Sequence, residues 1–415
     1  MTTSGGTVPV LRPADLAELR RAVLDTTGPL AVAGAGTAAG WAGRLGPVDA
    51  VLDTTALTGV ITHNPGDMTV AVRAGTPLRE LAAELAPHGQ HVALDAARIA
   101  RGATVGGLVA TGDAGPGALV HGTMRDLVIG VTVVLADGTV ARSGGHVIKN
   151  VAGYDLAKLL HGSYGTLAVL AEVVLRLHPE PRCSTTVALA CSLAEAADHA
   201  AEVLASPLEA TALEWCTGRS DTAGGELLVR VEGTPDALPG RVERLRTLLG
   251  PAADVAADAS PSERHVREDL VPERAVRGVG DGDGAGPWGR HAALVAGSAD
   301  GDPGGATDPS HAVLRLGVRP ARLPDLLSRL PAVAVAAGLG TGVATVTLPA
   351  DAVAAAHDLV HAAGGTSVLR DRPPGSDAPA WGPPPSAVGM LRAVKKAFDP
   401  EGRLGPGRLS PWLDS

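Results

Sequence analysis

The chain has 415 residues, more than one hydrophobic core usually organises, so two or three packed units with room for a buried cofactor are expected. Apolar residues make up 45% of it and aromatic ones only 2%, so Ala, Val and Leu must fill the cores. The formal net charge of -9 and the absence of any Lys or Arg run argue against a partner such as nucleic acid.

The opening MTTSGGTVPVLRP has neither a basic region nor an apolar core, and no stretch reaches the ~18 uninterrupted apolar residues of a membrane span, so the expected location is cytoplasmic. From Ala14 to Thr26 the residues Leu16, Leu19 and Val23 recur at helical spacing. The short apolar run LAVA follows, bracketed by Pro29 and Gly34, and reads as a strand leading into a glycine loop. Next, TVAVRAG alternates as a strand; Thr76 and Pro77 read as a cap and first turn of a helix that lines up Leu78, Leu81 and Leu85 and stops at Gly89. In VIGVTVVLADGTVARSGG, Asp137-Gly138 between two β-branched runs predicts a hairpin. Asp155 is positioned to cap a short helix that Gly162 ends.

Pro179 and Pro181 break the strand of LAEVVLRLHPEPR, and the first domain boundary is placed near Arg182. Beyond it, ELLVRVEG, RVERLRTLLG, AVLRLGV and LPDLLSRL read as two strand-helix pairs, suiting a small antiparallel sheet with helices on one face. A Gly/Asp-rich stretch at about 278–310 reads as a flexible loop, as does RDRPPGSDAPAWGPPPS around Trp381. Met390, Leu391, Val394 and Phe398 then form the apolar face of a closing helix. The expected domains are 1–181, 182–385 and a returning segment 386–415. The three cysteines, Cys183, Cys191 and Cys216, lack the close spacing that zinc or an iron-sulfur cluster needs; they read as buried thiols, and no metal is expected.

Three segments carry candidate chemistry. Gly34, Ala35, Gly36 and Thr37 follow a strand, where glycines let backbone N–H groups crowd around a pyrophosphate. Asp53 lies where a Rossmann ribose acid would, but Gly40, Gly43, Gly46 and Pro47 break the helix such a site requires. In ATVGGLVATGDAGPG, from Ala103, five glycines expose backbone; with the hydroxyls of Thr104 and Thr111 they suit a flat ring and its polar chain, or form a plain glycine-rich loop. In KNVAGYDLAKLLHGSYGTLAVLAE, Lys149 and Tyr154 read equally as packing or as residues beside a cofactor.

Taken together, the glycines from 102 to 117, HGTMRD, KNVAGYDL and GSYGTL resemble the FAD-dependent 2-hydroxy-acid dehydrogenases of the vanillyl-alcohol oxidase and D-lactate dehydrogenase superfamily. KKAFDPEGRLGPGRL resembles that family's closing sequence. Tyr164 in GSYG, where the family usually has glutamate, and the lack of paired histidines resemble the smaller, E-type FAD-binding subunit of glycolate oxidase. The resemblance covers residues 1 to about 180 well and the last 30 moderately. It implies an α+β fold: a PCMH-type FAD-binding domain of two subdomains, and an α+β cap domain with an antiparallel sheet.

Carried over by position, the resemblance implies that Gly34 to Ala38 hold the pyrophosphate and that Thr104, Gly106, Gly107, Thr111 and Gly112 line the ring. Gly122 and Asp126 of the HGTMRD block join the cofactor set, and Gly165 with Val169 contact the ring from behind. Two departures stand out: Gly405-Pro406-Gly407 replaces Asn-Pro-Gly, losing an amide for the flavin edge, and Ala168 replaces a glycine. With no His or Cys in the pyrophosphate loop, the FAD is expected to be non-covalent. The implied reaction is oxidation of a 2-hydroxy acid such as glycolate or D-lactate; Arg315, in the strand AVLRLGV, reads as the cation for the carboxylate or as a surface strand arginine, and His121 and Tyr154 are the candidate bases. The alternative is a non-catalytic electron-relay or structural subunit. Either reading implies an external electron acceptor, a homologous FAD subunit, an iron-sulfur subunit, and membrane association only through those partners.

Overall fold

The computed structural model describes residues 2–3, 6–147, 155–218, 224–256, 286–296 and 310–413. These divide by their packing into one unit of Met1–Gly115, His121–Glu180 and Pro383–Ser415, and another of Pro116–Val120 and Pro181–Gly382.

The first unit contains two main sheets. Its Leu16–Asp25 helix starts at Asp15, whose carboxylate accepts the Glu18 N–H, and buries Leu19 and Val23. The strands Val10–Leu11, Ala50–Asp53 and Leu30–Ala33 pair in parallel in that order. Parallel strands usually need a helical crossover. Here the crossover from Ala33 to Ala50 has no helix, consistent with the glycines at 40, 43 and 46. The larger sheet is antiparallel, in the order Val140–Gly144, Val128–Val134, Val169–Arg176, Thr69–Arg73, Val60–Asn64. Its Val134, Val169 and Ala171 pack with Leu19, Leu30 and Leu52, while Val131, Val133 and Val173 join Leu78, Leu81 and Leu85 in a second core.

The hairpin at Asp137-Gly138 forms, with Gly138 at φ +79. Two expected caps do not. The helix Leu78–Leu85 has Pro77 as its N-cap and no side-chain cap bond, because the Thr76 hydroxyl instead accepts the Gly59 N–H at 2.9 Å. Asp155 offers its backbone carbonyl to the Lys158 N–H, and its carboxylate sits 3.1 Å from Lys158 Nζ.

The second unit is built on eight antiparallel strands, in the order Asp254–Val255, Cys183–Cys191, Gly225–Gly233, Ala212–Thr217, Ala334–Gly338, Val343–Pro349, His311–Gly317, Thr366–Asp371. The sheet is not small, because Ala212–Thr217 pairs with Ala334–Gly338 and fuses the two strand-helix repeats. The helices Leu193–Ala205, Leu238–Leu249, Leu323–Ser328 and Val353–Ala362 contribute to one core with Leu213, Trp215, Leu314 and Leu316.

Part of the expected 278–310 loop is a helix, Pro287–Ala296; residues 278–285 and 297–309 lie outside the described residues. Polar anchors hold it: His291 Nε2 lies 3.3 Å from Glu214, Trp288 Nε1 donates to Thr186 at 2.7 Å, and Arg290 pairs with Glu226 at 2.8 Å. Glu214 alternates with Leu213 and Trp215, so this helix covers the sheet face opposite their core. Cys183 is buried, whereas Cys191 and Cys216 are only partly so; all three are free.

The closing segment folds with the first unit. In its helix Val388–Phe398, Val394 and Phe398 pack partly buried against the core, but Met390 and Leu391 are 71% and 40% exposed, so only half of the expected apolar face is covered. The segment is fastened mainly by charge. Lys395 Nζ donates to Asp399, to Thr166 O at 2.7 Å and to Leu404 O at 3.1 Å. Asp399 also accepts the Arg403 and Leu404 N–H groups at 2.9 and 2.7 Å. The Arg403 guanidinium donates to the carbonyls of Gly28, Val23, Thr26 and Ala136.

Candidate functional site

Three glycine-bearing segments converge in the first unit. The loop from Val32 to Ala39, the segment from Ala103 to Asp113 and the turn from Ser163 to Gly165 line one cavity, with Arg98 and Arg408 on its wall. The approach is close enough to require missing side chains. A Cβ on Gly34 would lie 2.5 Å from Thr104 Oγ1, and one on Gly106 would lie 2.9 Å from the Ala74 Cβ. Gly36 is different: its φ of +75 favours glycine, and nothing stands within 4 Å of the position a Cβ would take.

Thr104 caps the helix Val105–Thr111 by accepting the Gly107 N–H at 3.1 Å, which leaves its own proton to donate. Thr111 Oγ1 already donates to Gly107 O at 2.8 Å and is left with acceptor capacity. The Tyr164 N–H donates to Ala110 O at 2.8 Å and the Gly162 N–H to Val109 O at 3.0 Å, stitching the turn to that helix. Tyr164 holds φ +53, a left-handed conformation that costs a non-glycine residue roughly 1–2 kcal/mol and that clusters at ligand sites.

Of the residues read from sequence, Gly34, Ala35, Gly36, Thr37, Ala38, Thr104, Gly106, Gly107, Thr111 and Gly165 are on the cavity wall. Gly112, Gly122, Asp126 and Val169 are not. Gly112 ends the helix at φ +61. The Asp126 carboxylate accepts the Thr123 N–H at 2.9 Å in a capping box, and a Cβ on Gly122 would meet that carboxylate at 2.5 Å. Val169 is fully buried in a sheet core. Tyr154 and Lys149 lie outside the described residues. Arg315 belongs to the second unit, on the strand His311–Gly317 between Leu314 and Leu316, and so projects from the face opposite their core.

His121 is also off the cavity wall. Its ring sits 4.6 Å from that of His178 and 6.4 Å from that of His91, while Arg176 Nη2 donates to His178 Nε2 at 3.0 Å. Burial, the neighbouring His121, the Arg176 guanidinium and His91 together push His178 down to about 4. The folded chain therefore binds fewer protons here than the unfolded chain between pH ~6.5 and ~4, and stability falls as pH drops through that window. In thermal melts at pH 7 and pH 5, His178→Asn is expected to shrink the gap between the two melting temperatures. An unchanged gap contradicts the assignment.

Sequence reasoning missed Arg98, Asp113 and Arg408 on the wall. Arg98 is 5% exposed and places its guanidinium 4.0 Å from the centre of the Trp41 ring. The run DAARIARGAT holds three charged residues, Asp95, Arg98 and Arg101, and no local pattern singles out Arg98 among them. Among the described residues no group of three or more His, Cys, Asp or Glu side chains is arranged to hold a metal ion, and no helix is long and apolar enough to cross a membrane.

A cavity lined by a strand-to-glycine loop, a glycine-bearing helix start and a few polar side chains fits a flavin dinucleotide. Residues 9–144 match a family described as the FAD binding domain. The match covers about a third of the chain and supports FAD as its cofactor. The wall residues Val32 to Ala39 and Ala103 to Asp113 fall within it.

Glycolate oxidase subunit GlcE of Escherichia coli (strain K12) is 37% identical over 236 residues, which are 57% of this chain and 63% of that protein. A D-lactate dehydrogenase of Archaeoglobus fulgidus is 42% identical over 135 residues, 32% of this chain and 30% of that one. The chain thus spans less than two thirds of the length of either relative. Among solved structures, an alkyldihydroxyacetonephosphate synthase aligns over 96% of this chain and 75% of its own, with a TM-score of 0.63 and 16% identity, a likeness of fold alone.

Proposed function

We propose that the chain is the FAD-binding component of a glycolate oxidase-like complex that oxidises a 2-hydroxy acid, glycolate or D-lactate, and passes the electrons to an external acceptor. The observation that carries this reading is the glycine cavity within an FAD binding domain, in a chain whose relatives are named for glycolate and D-lactate.

The chemistry that FAD supplies is acceptance of a hydride from the carbon bearing the hydroxyl. This chain's own residues bind and orient. The loop from Gly34 to Ala38 holds the diphosphate, Thr104 donates to and Thr111 accepts from the polar chain, and the glycine wall from Gly106 to Ala110 excludes water from one ring face. Electrons leave to a partner or oxidant, because the chain's three cysteines are too widely spaced for an iron-sulfur cluster. A homologous FAD subunit and an iron-sulfur subunit are the proposed partners, in keeping with the word "subunit" in the relative's name.

A second reading has its own support. Among the described residues no imidazole lines the cavity, and no two histidines are adjacent in the sequence, which favours an electron-relay or structural subunit beside a homologous catalytic partner. Anaerobic mixing of the FAD-loaded chain with glycolate or D-lactate separates the two. Bleaching of the flavin's visible absorbance is the expected result, and a colour that persists with both acids leaves the relay reading.

A further inference from the structure

The glycine loop is held by the far end of the chain. The Leu30 N–H donates to Arg403 O at 2.7 Å and the Gly405 N–H to Leu30 O at 2.8 Å, so the strap enters beside the strand that feeds the loop. It then runs along the loop's outer course: the Gly46 N–H donates to Pro406 O at 2.8 Å and the Gly43 N–H to Arg408 O at 3.0 Å. The two backbones interlock through glycines. A Cβ on Gly43 would lie 2.0 Å from Gly407 O, and one on Gly407, at φ +81, would lie 2.4 Å from Arg44 O. Gly43 and Gly46, which break the helix a Rossmann site needs, are thus where the strap seats.

Arg408 closes this arrangement. Its Nη1 donates to the carbonyls of Ala39, Trp41 and Gly43 at 2.9, 3.0 and 3.2 Å, and the same side chain lines the cavity. A loop that must hold a doubly charged diphosphate is disfavoured by carbonyl oxygens left facing it. Drawing the carbonyls of Ala39, Trp41 and Gly43 onto one guanidinium turns them away from the cavity side and fixes the course of the chain immediately after the loop from Gly34 to Ala38. Arginine suits the task because its planar fork presents several donors in fixed geometry, whereas lysine is a point charge on a flexible stem.

We propose that Arg408 is a positioning residue for the diphosphate of the dinucleotide, so that the C-terminal strap sets the chain's affinity for FAD. The inference rests on the reading that the loop from Gly34 to Ala38 holds the diphosphate. It requires that losing Arg408 weakens every ligand carrying a diphosphate, whatever stands at the ligand's other end.

The test is calorimetric titration of the parent chain and of Arg408→Ala, Arg408→Gln and Arg408→Lys with FAD and with ADP, alongside melting of each chain without ligand. The expected result is a loss of roughly tenfold or more in affinity for both ligands in all three variants, the scale of one or two charge-assisted hydrogen bonds. Ligand-free melting temperatures should stay within a few degrees of the parent. Arg408→Lys at parental affinity overturns the positioning role, since charge alone would then suffice. So does unchanged FAD affinity in Arg408→Ala, or a loss for FAD without one for ADP. Should the alanine variant fail to fold, the glutamine and lysine variants, which keep donors, carry the comparison. A parent chain that binds no FAD at all refutes the cofactor reading itself, an outcome distinct from a parent that binds and variants that bind equally.

Discussion

Gly36→Val is expected to give a folded chain that no longer retains FAD. Gly36 sits on the cavity wall at φ +75 with open space where a side chain would project, so an added side chain enters the room the cofactor needs. The conformation adds roughly 1–2 kcal/mol of strain for a non-glycine residue, more when it is β-branched, and the loop relieves it by moving away from its binding geometry. Gly36 is exposed and belongs to no core, so the cost to the fold stays small. The check is the flavin absorbance of variant and parent after gel filtration, with circular dichroism melts for folding. A variant that folds and keeps a full complement of flavin removes the loop from the cofactor site.

The second large effect concerns stability. Asp399 is 1% exposed and receives Lys395 Nζ together with the N–H groups of Arg403 and Leu404. Replacing it by alanine leaves the ammonium of Lys395, itself mostly buried, without its counter-charge and two backbone donors without their acceptor. Breaking one side of a buried pair costs about 3–5 kcal/mol, whereas replacing both sides by apolar groups is far milder. Asp399→Ala should therefore lower the urea midpoint of the first unit strongly, and Lys395→Met combined with Asp399→Leu should recover part of the loss. A midpoint equal to the parent's in Asp399→Ala contradicts the view that charge fastens the closing segment.

Periodicity made much of the fold legible. Leu16, Leu19 and Val23, the Asp137-Gly138 turn, and the strand-helix pairs of the second unit are all set by local patterns, and all form. What escaped depends on distant partners. Thr76 looks like a cap, but the Gly59 N–H takes its hydroxyl. The helix Pro287–Ala296 is bordered by Gly/Asp-rich sequence and depends on Glu214, Thr186 and Glu226, far away in the chain.

The site shows the same division. Glycines announce a close backbone approach, so the segments from Gly34 to Ala38 and from Thr104 to Thr111 were legible. Whether a given glycine faces a ligand or a neighbour was not. Gly122 stands against the Asp126 carboxylate and Gly112 ends a helix between the wall residues Thr111 and Asp113, neither being on the wall itself. His121 looked chemical in isolation, yet its surroundings are two more imidazoles contributed by a two-stranded pairing of His91 with His178. Arg408 was invisible as a site residue because nearly the whole chain separates it from the loop it braces.

The most direct test is the stoichiometry and linkage of the flavin. The purified chain, incubated with FAD, gel-filtered and then precipitated with acid, is predicted to carry one FAD per chain and to release all of it into the supernatant. A chain that stays colourless after incubation, or flavin that remains with the pellet, would contradict a dissociable FAD held in this glycine cavity.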